Sequence, residues 1–460
     1  MRPKALFSLL AALSALAPAA AAPPASPVVA TDLGRVRGQV EQDIASWKGI
    51  PFAAPPVGDL RWRMPQPAQP WRDVRDATAY RNDCMQLPFP SDAAPLGTPP
   101  SEDCLYVNVW KPARASAAAK LPVLVWIYGG GFVNGGSSPP TYSGALLAKQ
   151  GIMVVSFNYR IGRFGTFAHP ALTAADADRG LLGNYGLMDQ IAALRWVRRN
   201  IARFGGDPAQ VTIMGESAGG MSVHALLTSP MTKGLFARAI ILSGGDGAMK
   251  GSPAQAEQVG ADFAASKGVG SGADALAQLR ALTPAQVIDN LNLATLADAA
   301  RLHYVPPYPD GRIAVSPADA YAADRFAHVP VMIGATSADI GGPDGYMIAG
   351  AHRLAATLTE RKLPVYAYYF DYVAQSLGRP GAAHASDIPF FFDTQAIKYG
   401  AATTPRDNAM GRAMSGYVVN FVRRGDPNGG GLPAWPRYDS QADQVMLFGP
   451  QGEAKAARHP

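Results

Sequence analysis

Short apolar runs alternate with amphipathic stretches along the first three quarters of the chain. A strand that is covered on both faces carries apolar side chains at every position. Five runs predict such strands, at residues 123–128, 152–158, 211–215, 239–242 and 329–333. Residues 186–204 have apolar positions at helical spacing and are followed by Gly205-Gly206-Asp207-Pro208, which predicts a long helix and its end. This alternation predicts an α/β fold, with a mostly parallel central sheet and helices on both faces.

Residues 250–300 follow a different pattern. They are rich in Ala, polar at helical spacing and contain no strand-like run. We therefore expect an inserted helical region, at about 246–328, lying over the edge of the sheet. Because the sequence shows no internal repeat and no long linker, we expect residues 22–460 to form a single domain.

Composition excludes several classes of protein. With 48% hydrophobic and 17% charged residues, the 460-residue chain is not a disordered polymer. Its 41 basic and 35 acidic residues are interspersed without a basic stripe, so we expect no nucleic-acid partner. Two cysteines are too few for a zinc ribbon, an iron–sulfur site or a disulfide-rich scaffold.

The N-terminus has the sequence pattern of a secretory targeting segment. Met-Arg-Pro-Lys precedes an apolar run of about 13 residues and then a series of alanines, which predicts a signal peptide at 1–21. The apolar run is short of the roughly 20 residues of a membrane span, and no later stretch is longer, so we expect a periplasmic or secreted protein without an anchor. In an oxidising compartment Cys84 and Cys104, 20 positions apart, are expected to be bridged rather than free thiols.

The strongest chemical signal is Gly215-Glu216-Ser217-Ala218-Gly219. The G-x-S-x-G pattern alone is weak, but here it lies between a predicted strand and a predicted helix. That context predicts a sharp turn with Ser217 at its tip, flanked by glycines because side chains there would collide. The following helix points its positive N-terminal end at the reacting atom. Ser217 is therefore the candidate nucleophile.

A glycine run provides candidate hydrogen-bond donors for this site. Gly129-Gly130-Gly131 follows the first predicted strand, where backbone N–H groups could turn inward without obstruction. We expect the N–H groups of Gly130, Gly131 and Ala218 to form an oxyanion hole. A phosphate-binding loop is the competing interpretation, but the sequence lacks the pattern of such a loop.

The base that activates the serine should be one of seven histidines. His384 is preferred because it lies in a Gly/Pro/Ala loop after the last predicted strand, in the order Ser, acid, His. Chain order excludes His169, and little room for an acid precedes His303 and His328. Of the others, His224 is expected in the core or behind the site, His352 on a solvated face and His459 at a frayed terminus. Asp339, just past a strand, is the preferred acid, with Asp344 as the alternative.

Several motifs together resemble the type-B carboxylesterase family. They are the run from Gly183 to Gly219, Ser101–Val109, Pro55–Trp62 and Gly425–Asn428, and the resemblance covers roughly residue 28 to the C-terminus. It implies an α/β-hydrolase fold, an insert over the active site, and hydrolysis of small carboxylic esters through an acyl-enzyme without metal or cofactor. The oligomeric state is left open.

The resemblance also assigns roles to residues. Ser217 resembles the nucleophile, His384 the base, and Gly130, Gly131 and Ala218 the oxyanion donors. Cys84 and Cys104 resemble the family's loop-closing disulfide, while Glu216 and Ser243 resemble buried groups that support the triad. Asp339 falls where most members carry Glu. Because the aspartate side chain is one methylene shorter than glutamate, we expect the strand end that carries Asp339 and the loop that carries His384 to lie closer together.

Departures from the family leave the substrate open. The Cys84–Cys104 loop lacks a tryptophan that could stack a quaternary ammonium, and Arg301 and His303 precede 307–311, where cholinesterases place acyl-pocket phenylalanines. We expect a more open site, with Arg301 either facing an acidic acyl group or solvated. The alternatives to a general esterase are a specialised hydrolase of xenobiotic, aromatic or polymeric esters and a non-catalytic adhesion module, which would typically lose Ser217 or His384.

Overall fold

The computed structural model describes residues 26–89 and 94–460, so the predicted signal peptide at 1–21 lies outside the described residues. An eleven-stranded sheet forms the centre of the fold. Its strands, in chain order, are β1 (Gln39–Glu41), β2 (Ile44–Pro51), β3 (Tyr106–Pro112), β4 (Leu121–Ile127), β5 (Met153–Phe157), β6 (Gly206–Glu216), β7 (Arg238–Leu242), β8 (Val331–Thr336), β9 (Val365–Phe370), β10 (Gln444–Phe448) and β11 (Ala454–Arg458).

The order across the sheet is β11-β10-β9-β8-β7-β6-β4-β5-β3-β2-β1. The seven strands from β4 to β10 are mutually parallel, whereas β1, β2, β3 and β11 add antiparallel edges. The five strands predicted from the sequence are β4 to β8, at the parallel centre where both faces are covered. β6 begins earlier than predicted, at Gly206, because Gly206 pairs with Leu121 before an irregularity in register.

Thirteen α-helices lie in the described part of the chain. They are α1 (Ala145–Lys149), α2 (Gly162–Gly165), α3 (Pro170–Ala175), α4 (Tyr185–Phe204), α5 (Ala218–Thr228), α6 (Pro253–Ser266), α7 (Ala275–Ala281), α8 (Pro284–Ile288), α9 (Pro317–Ala322), α10 (Tyr346–Glu360), α11 (Ile388–Phe391), α12 (Gln395–Tyr399) and α13 (Pro405–Arg424). The long predicted helix is α4, and it ends at Gly205, whose φ of +96° a side chain would disfavour. Within the described residues, no helix is both long and apolar enough to cross a membrane.

The stretch 250–300 contains helices α6, α7 and α8 and no strand, as its pattern predicts. Arg163 holds this region to the body of the fold. Its guanidinium is buried without a carboxylate partner among the described residues and donates to the carbonyls of four residues of the predicted insert at about 246–328, namely Val287, Ile288, Leu302 and His303. It also lies over the ring of Phe263 at 4.5 Å. Because each donor finds a carbonyl, the buried charge fixes the segment that follows α8.

The predicted disulfide is present between Cys84 and Cys104. A short two-stranded parallel sheet lies beside the bond, in which Asp83–Cys84 pairs with Pro100–Ser101. Within the loop that it closes, Gln86 binds the chain four residues after the glycine run: its Oε1 accepts from the Gly135 N–H at 2.9 Å and its Nε2 donates to the Gly135 carbonyl at 2.7 Å. The disulfide therefore braces the loop that carries the candidate oxyanion donors.

Candidate active site

The turn at Ser217 is sterically enforced. Ser217 lies between β6 and α5 with φ +55° and ψ −123°, in the left-handed half of backbone space that a side chain disfavours. A Cβ on Gly215 would come within 2.3 Å of the Gly219 carbonyl oxygen, and a Cβ on Gly219 within 2.1 Å of the Ile127 carbonyl oxygen. The glycines are thus required by close backbone approach, which confirms the collision predicted from the sequence. Ser217 is left 9% exposed.

His384 connects the two other predicted residues. Its Nε2 lies 2.9 Å from Ser217 Oγ, and its Nδ1 lies 2.6 Å from Asp339 Oδ1. The loop that carries His384 is tied to the acid loop, since Ala338 N–H donates to the Ala382 carbonyl at 2.8 Å and Ala382 N–H donates to Ser337 Oγ at 2.9 Å. The two loops are in direct contact, as the shorter aspartate requires.

Asp339 is buried and fully hydrogen-bonded. Its Oδ2 accepts from Ser243 Oγ at 2.6 Å and from the N–H and hydroxyl of Thr336, while its Oδ1 also accepts from the Ile340 N–H. Burial alone would raise the pKa of Asp339, but these bonds and the attraction of His384 hold that pKa below its ordinary value. Asp344, the alternative acid, is exposed and makes no hydrogen bond to His384.

Glu216 lies against the same imidazole. Its Oε1 is 3.2 Å from His384 Nε2, and its side chain is 4% exposed. Burial raises the pKa of Glu216 to about 8, against the attraction of His384. Burial favours the neutral form of His384, but Glu216 and Asp339 outweigh it and raise the pKa of His384 to about 9. The pKa of each group therefore depends on the charge of the other.

A third buried carboxyl, Asp387, was missed by the sequence analysis. It follows His384 by three residues, is fully buried and accepts a hydrogen bond from the Tyr368 hydroxyl at 3.0 Å. Burial raises the pKa of Asp387 to about 7, and the negative charge of Asp339 adds to the rise. The presence of an acid three residues after the candidate base could have marked Asp387 as a site residue. Strand and turn patterns, however, do not reveal that its carboxyl is buried.

The candidate oxyanion donors line the same cavity as Ser217. Gly130 and Gly131 have φ of +104° and +62°, so the run turns in a way that favours glycine. Their N–H groups and that of Ala218 have no acceptor among the described residues. A Cβ on Gly131 would lie 2.8 Å from Leu293 and 2.7 Å from Leu296, so the segment after α8 packs directly on this loop.

The cavity at Ser217 has a volume of about 590 Å³ and is mainly apolar. Its apolar wall comes from separate parts of the chain: Phe89, Met221, Leu293, Leu296, Ile340, Met347 and Leu377. A cavity of this size and lining can hold a small organic molecule with its reacting group at Ser217.

Other residues singled out by the sequence lie elsewhere. None of the six remaining histidines lines the cavity, and the buried His224 bonds the Tyr321 hydroxyl at 2.9 Å. Of the two alternatives for Arg301, the solvated one is confirmed and the acyl-group contact is not: its side chain is 78% exposed and pairs with Asp298 at 2.9 Å. Arg301 follows a one-turn helix on the surface, where its charge is solvated. Among the described residues, no cluster of His, Cys, Asp and Glu could hold a metal ion.

This arrangement can activate a hydroxyl. A serine at a strained turn contacts an imidazole, which contacts a buried, ionised carboxylate, and N–H groups without protein acceptors surround the same cavity. These are the parts that acyl transfer to a serine requires.

Comparison with known proteins agrees with this geometry. The model of the carboxylesterase family matches residues 25–343 and 342–459. The chain is 33% identical to fumonisin B1 esterase of Sphingopyxis macrogoltabida, over 92% of this chain and 86% of that protein. It is 34% identical to para-nitrobenzyl esterase of Bacillus subtilis, over 92% and 94%.

The solved structures of PNB esterases share the fold. One has a TM-score of 0.82 at 30% identity, covering 94% of this chain and 97% of the other. A thermophilic PNB esterase gives a TM-score of 0.81 at the same identity. Their fold is the α/β hydrolase, in agreement with the parallel sheet and the strand–turn–helix at Ser217. The chain therefore belongs to the carboxylesterase family and is a carboxylic ester hydrolase.

Proposed function

We propose that Ser217, His384 and Asp339 form the catalytic triad and that hydrolysis proceeds through an acyl-enzyme on Ser217. The observation that carries this proposal is the hydrogen-bonded chain from Asp339 to His384 at 2.6 Å and from His384 to Ser217 at 2.9 Å. Both contacts are within the range required for proton transfer between a nucleophile and its base.

In this mechanism Ser217 Oγ attacks the ester carbonyl while His384 Nε2 accepts its proton. Asp339 fixes the ring with Nδ1 toward the carboxylate and stabilises the imidazolium that forms. His384 then protonates the leaving alcohol. A water molecule attacks the acyl-enzyme by the same route, releases the carboxylic acid and restores Ser217.

The N–H groups of Gly130, Gly131 and Ala218 hold the oxyanion in both steps. Their lack of protein acceptors and the positive N-terminal end of α5 support this role. Donors fixed before the reaction stabilise the developing charge without reorganisation, and each is worth about 3 kcal/mol. Glu216 acts on His384 by its charge, and Ser243 acts by orienting Asp339.

For the substrate we propose small esters with an apolar body, because the cavity wall is mainly apolar. The names of the relatives point to different substrates, fumonisin B1 and para-nitrobenzyl esters, at nearly equal identity. The names of these relatives therefore do not decide whether this protein accepts a broad or a narrow range of esters. We further propose that the protein is exported, which the disulfide supports.

Replacement of the nucleophile tests the proposal. Ser217→Ala is expected to lower kcat for p-nitrophenyl butyrate by roughly 10⁶-fold, because in the described part of the chain no other hydroxyl bonds His384. Ser386→Ala, which alters a second serine that lines the cavity, is expected to retain most of the activity. Substantial turnover by a folded Ser217→Ala protein would refute the assignment.

The acid can be tested with a matched pair. Asp339→Asn removes the charge that stabilises the imidazolium and is expected to lower kcat/KM by about a thousandfold or more. Asp344→Asn changes an exposed acid five positions away and is expected to leave kcat/KM unchanged. Equal losses in both variants, or no loss in Asp339→Asn, would exclude Asp339 as the triad acid.

The charge of Glu216 should appear in the pH–rate profile. Since ionised Glu216 raises the pKa of His384, Glu216→Gln should lower that pKa and move the acid limb of kcat/KM to lower pH, by about one unit or more. Profiles from about pH 5 to 10 measure this shift, with the exposed Glu360→Gln as the control. An acid limb that stays in place or moves to higher pH would contradict the coupling.

A further inference from the structure

The charges that line the active-site cavity are unevenly distributed. Besides two tyrosines, four side chains that can carry a charge line it among the described residues: His384 and Glu216, and the cations Arg379 and Lys398. Glu216 is buried beneath Ser217, so no exposed carboxylate lines the described part of the cavity. Among the described residues that line the cavity, the exposed charge is therefore that of Arg379.

Arg379 is the more exposed of the two cations. It precedes His384 by five residues on the same loop, and among the described residues it forms no hydrogen bond or ion pair. By contrast, the exposed Arg301 pairs with Asp298, and the buried Arg61 pairs with Glu102. Arg379 thus presents a guanidinium to the cavity with its donors available.

A polar corner surrounds this guanidinium. Tyr399 also lines the cavity, and although burial raises the pKa of its phenol to about 12, the charge of Arg379 opposes that rise, which places the two groups within electrostatic reach. Lys398 precedes Tyr399 in the chain and is half-buried. Leu293, Leu296 and Met221 supply apolar surface to the same cavity. The cavity therefore combines an apolar wall with one cationic corner.

We propose that Arg379 binds a carboxylate carried by one substituent of the ester, so that the enzyme favours esters with an apolar body and an anionic end, such as the monoesters of dicarboxylic acids. This inference rests on the function proposed above and narrows its substrate class. A guanidinium binds a carboxylate through two parallel hydrogen bonds, which gives direction as well as charge. At the mouth of an apolar cavity this contact is less screened than an ion pair on the open surface.

Arg379 lies on the loop that carries His384, five residues before it. A carboxylate held by Arg379 would therefore lie in the same cavity as His384 and Ser217. Because the contact persists in ground state and transition state, it should act mainly on KM and leave kcat nearly unchanged. An anionic group should also bind less well as salt is added.

A matched pair of substrates tests this proposal. One is the p-nitrophenyl monoester of adipic acid, which carries a free carboxylate. The other is the neutral p-nitrophenyl ester in which an isopropyl group of the same shape replaces that carboxylate. The readout is the ratio of kcat/KM for the anionic ester to kcat/KM for the neutral ester, in the mature protein and in three variants, with Ser217→Ala as the blank for spontaneous hydrolysis.

In Arg379→Gln this ratio is expected to fall about tenfold, through a higher KM for the anionic ester, while turnover of the neutral ester is maintained. Arg379→Lys retains the positive charge but cannot form two parallel hydrogen bonds, so the ratio should fall less than in Arg379→Gln. Arg301→Gln removes an exposed arginine outside the cavity and should leave the ratio unchanged. Added salt should reduce the ratio in the unsubstituted protein and have little effect in Arg379→Gln.

Two kinds of failure are distinguishable. If the neutral ester is hydrolysed by Ser217 but the ratio is the same with and without Arg379, the inference about Arg379 is overturned and the proposed function stands. A ratio that falls equally in Arg301→Gln would assign the effect to net charge and also overturn it. If neither ester is turned over faster than in Ser217→Ala, the proposed function itself fails.

Discussion

The active site depends on a steric constraint at one turn. Between β6 and α5 the backbone passes so close to itself and to the end of β4 that a Cβ at Gly219 would lie 2.1 Å from the Ile127 carbonyl oxygen. This approach holds Ser217 at φ +55° and directs its side chain toward His384. The parallel centre of the sheet supplies the rigidity, because β4 and β6 are neighbours with both faces buried. A strained conformation persists only where the surrounding structure determines it in this way.

The charges of the carboxyl groups around His384 are the second constraint on the active site. Glu216, Asp339 and Asp387 are all buried near one imidazole, yet only Asp339 receives enough hydrogen bonds to stay ionised readily. Burial raises the pKa of the other two carboxyls, so the site does not hold three full negative charges at neutral pH. The acid whose pKa is held low is the one that contacts His384 Nδ1, as the proposed role of His384 as a base requires. The disulfide, Gln86 and the segment held by Arg163 position the glycine loop on the opposite side.

The sequence predicted the parts of the site that local chemistry determines. The β6–Ser217–α5 turn, His384 in its loop and Asp339 past β8 follow from strand periodicity and from glycines at required positions. The antiparallel strands β1 to β3 were not predicted, because β1 has only three residues and polar residues interrupt the apolar runs of β2 and β3. β9 was missed although 365–370 is a strongly apolar run. Asp387, Arg379 and the exposure of Arg301 depend on how distant loops meet, which no local pattern in one sequence reveals.

The central claim, that Ser217 is the activated nucleophile of this esterase, is most directly tested by covalent trapping. The mature protein would be treated with a fluorophosphonate, which reacts with activated serines, and then digested for peptide mass spectrometry. We expect one equivalent of label on Ser217, with loss of hydrolysis in proportion to labelling, since the His384 contact activates only this hydroxyl. Inactivation without label on Ser217, or label on another serine such as Ser386, would contradict the account.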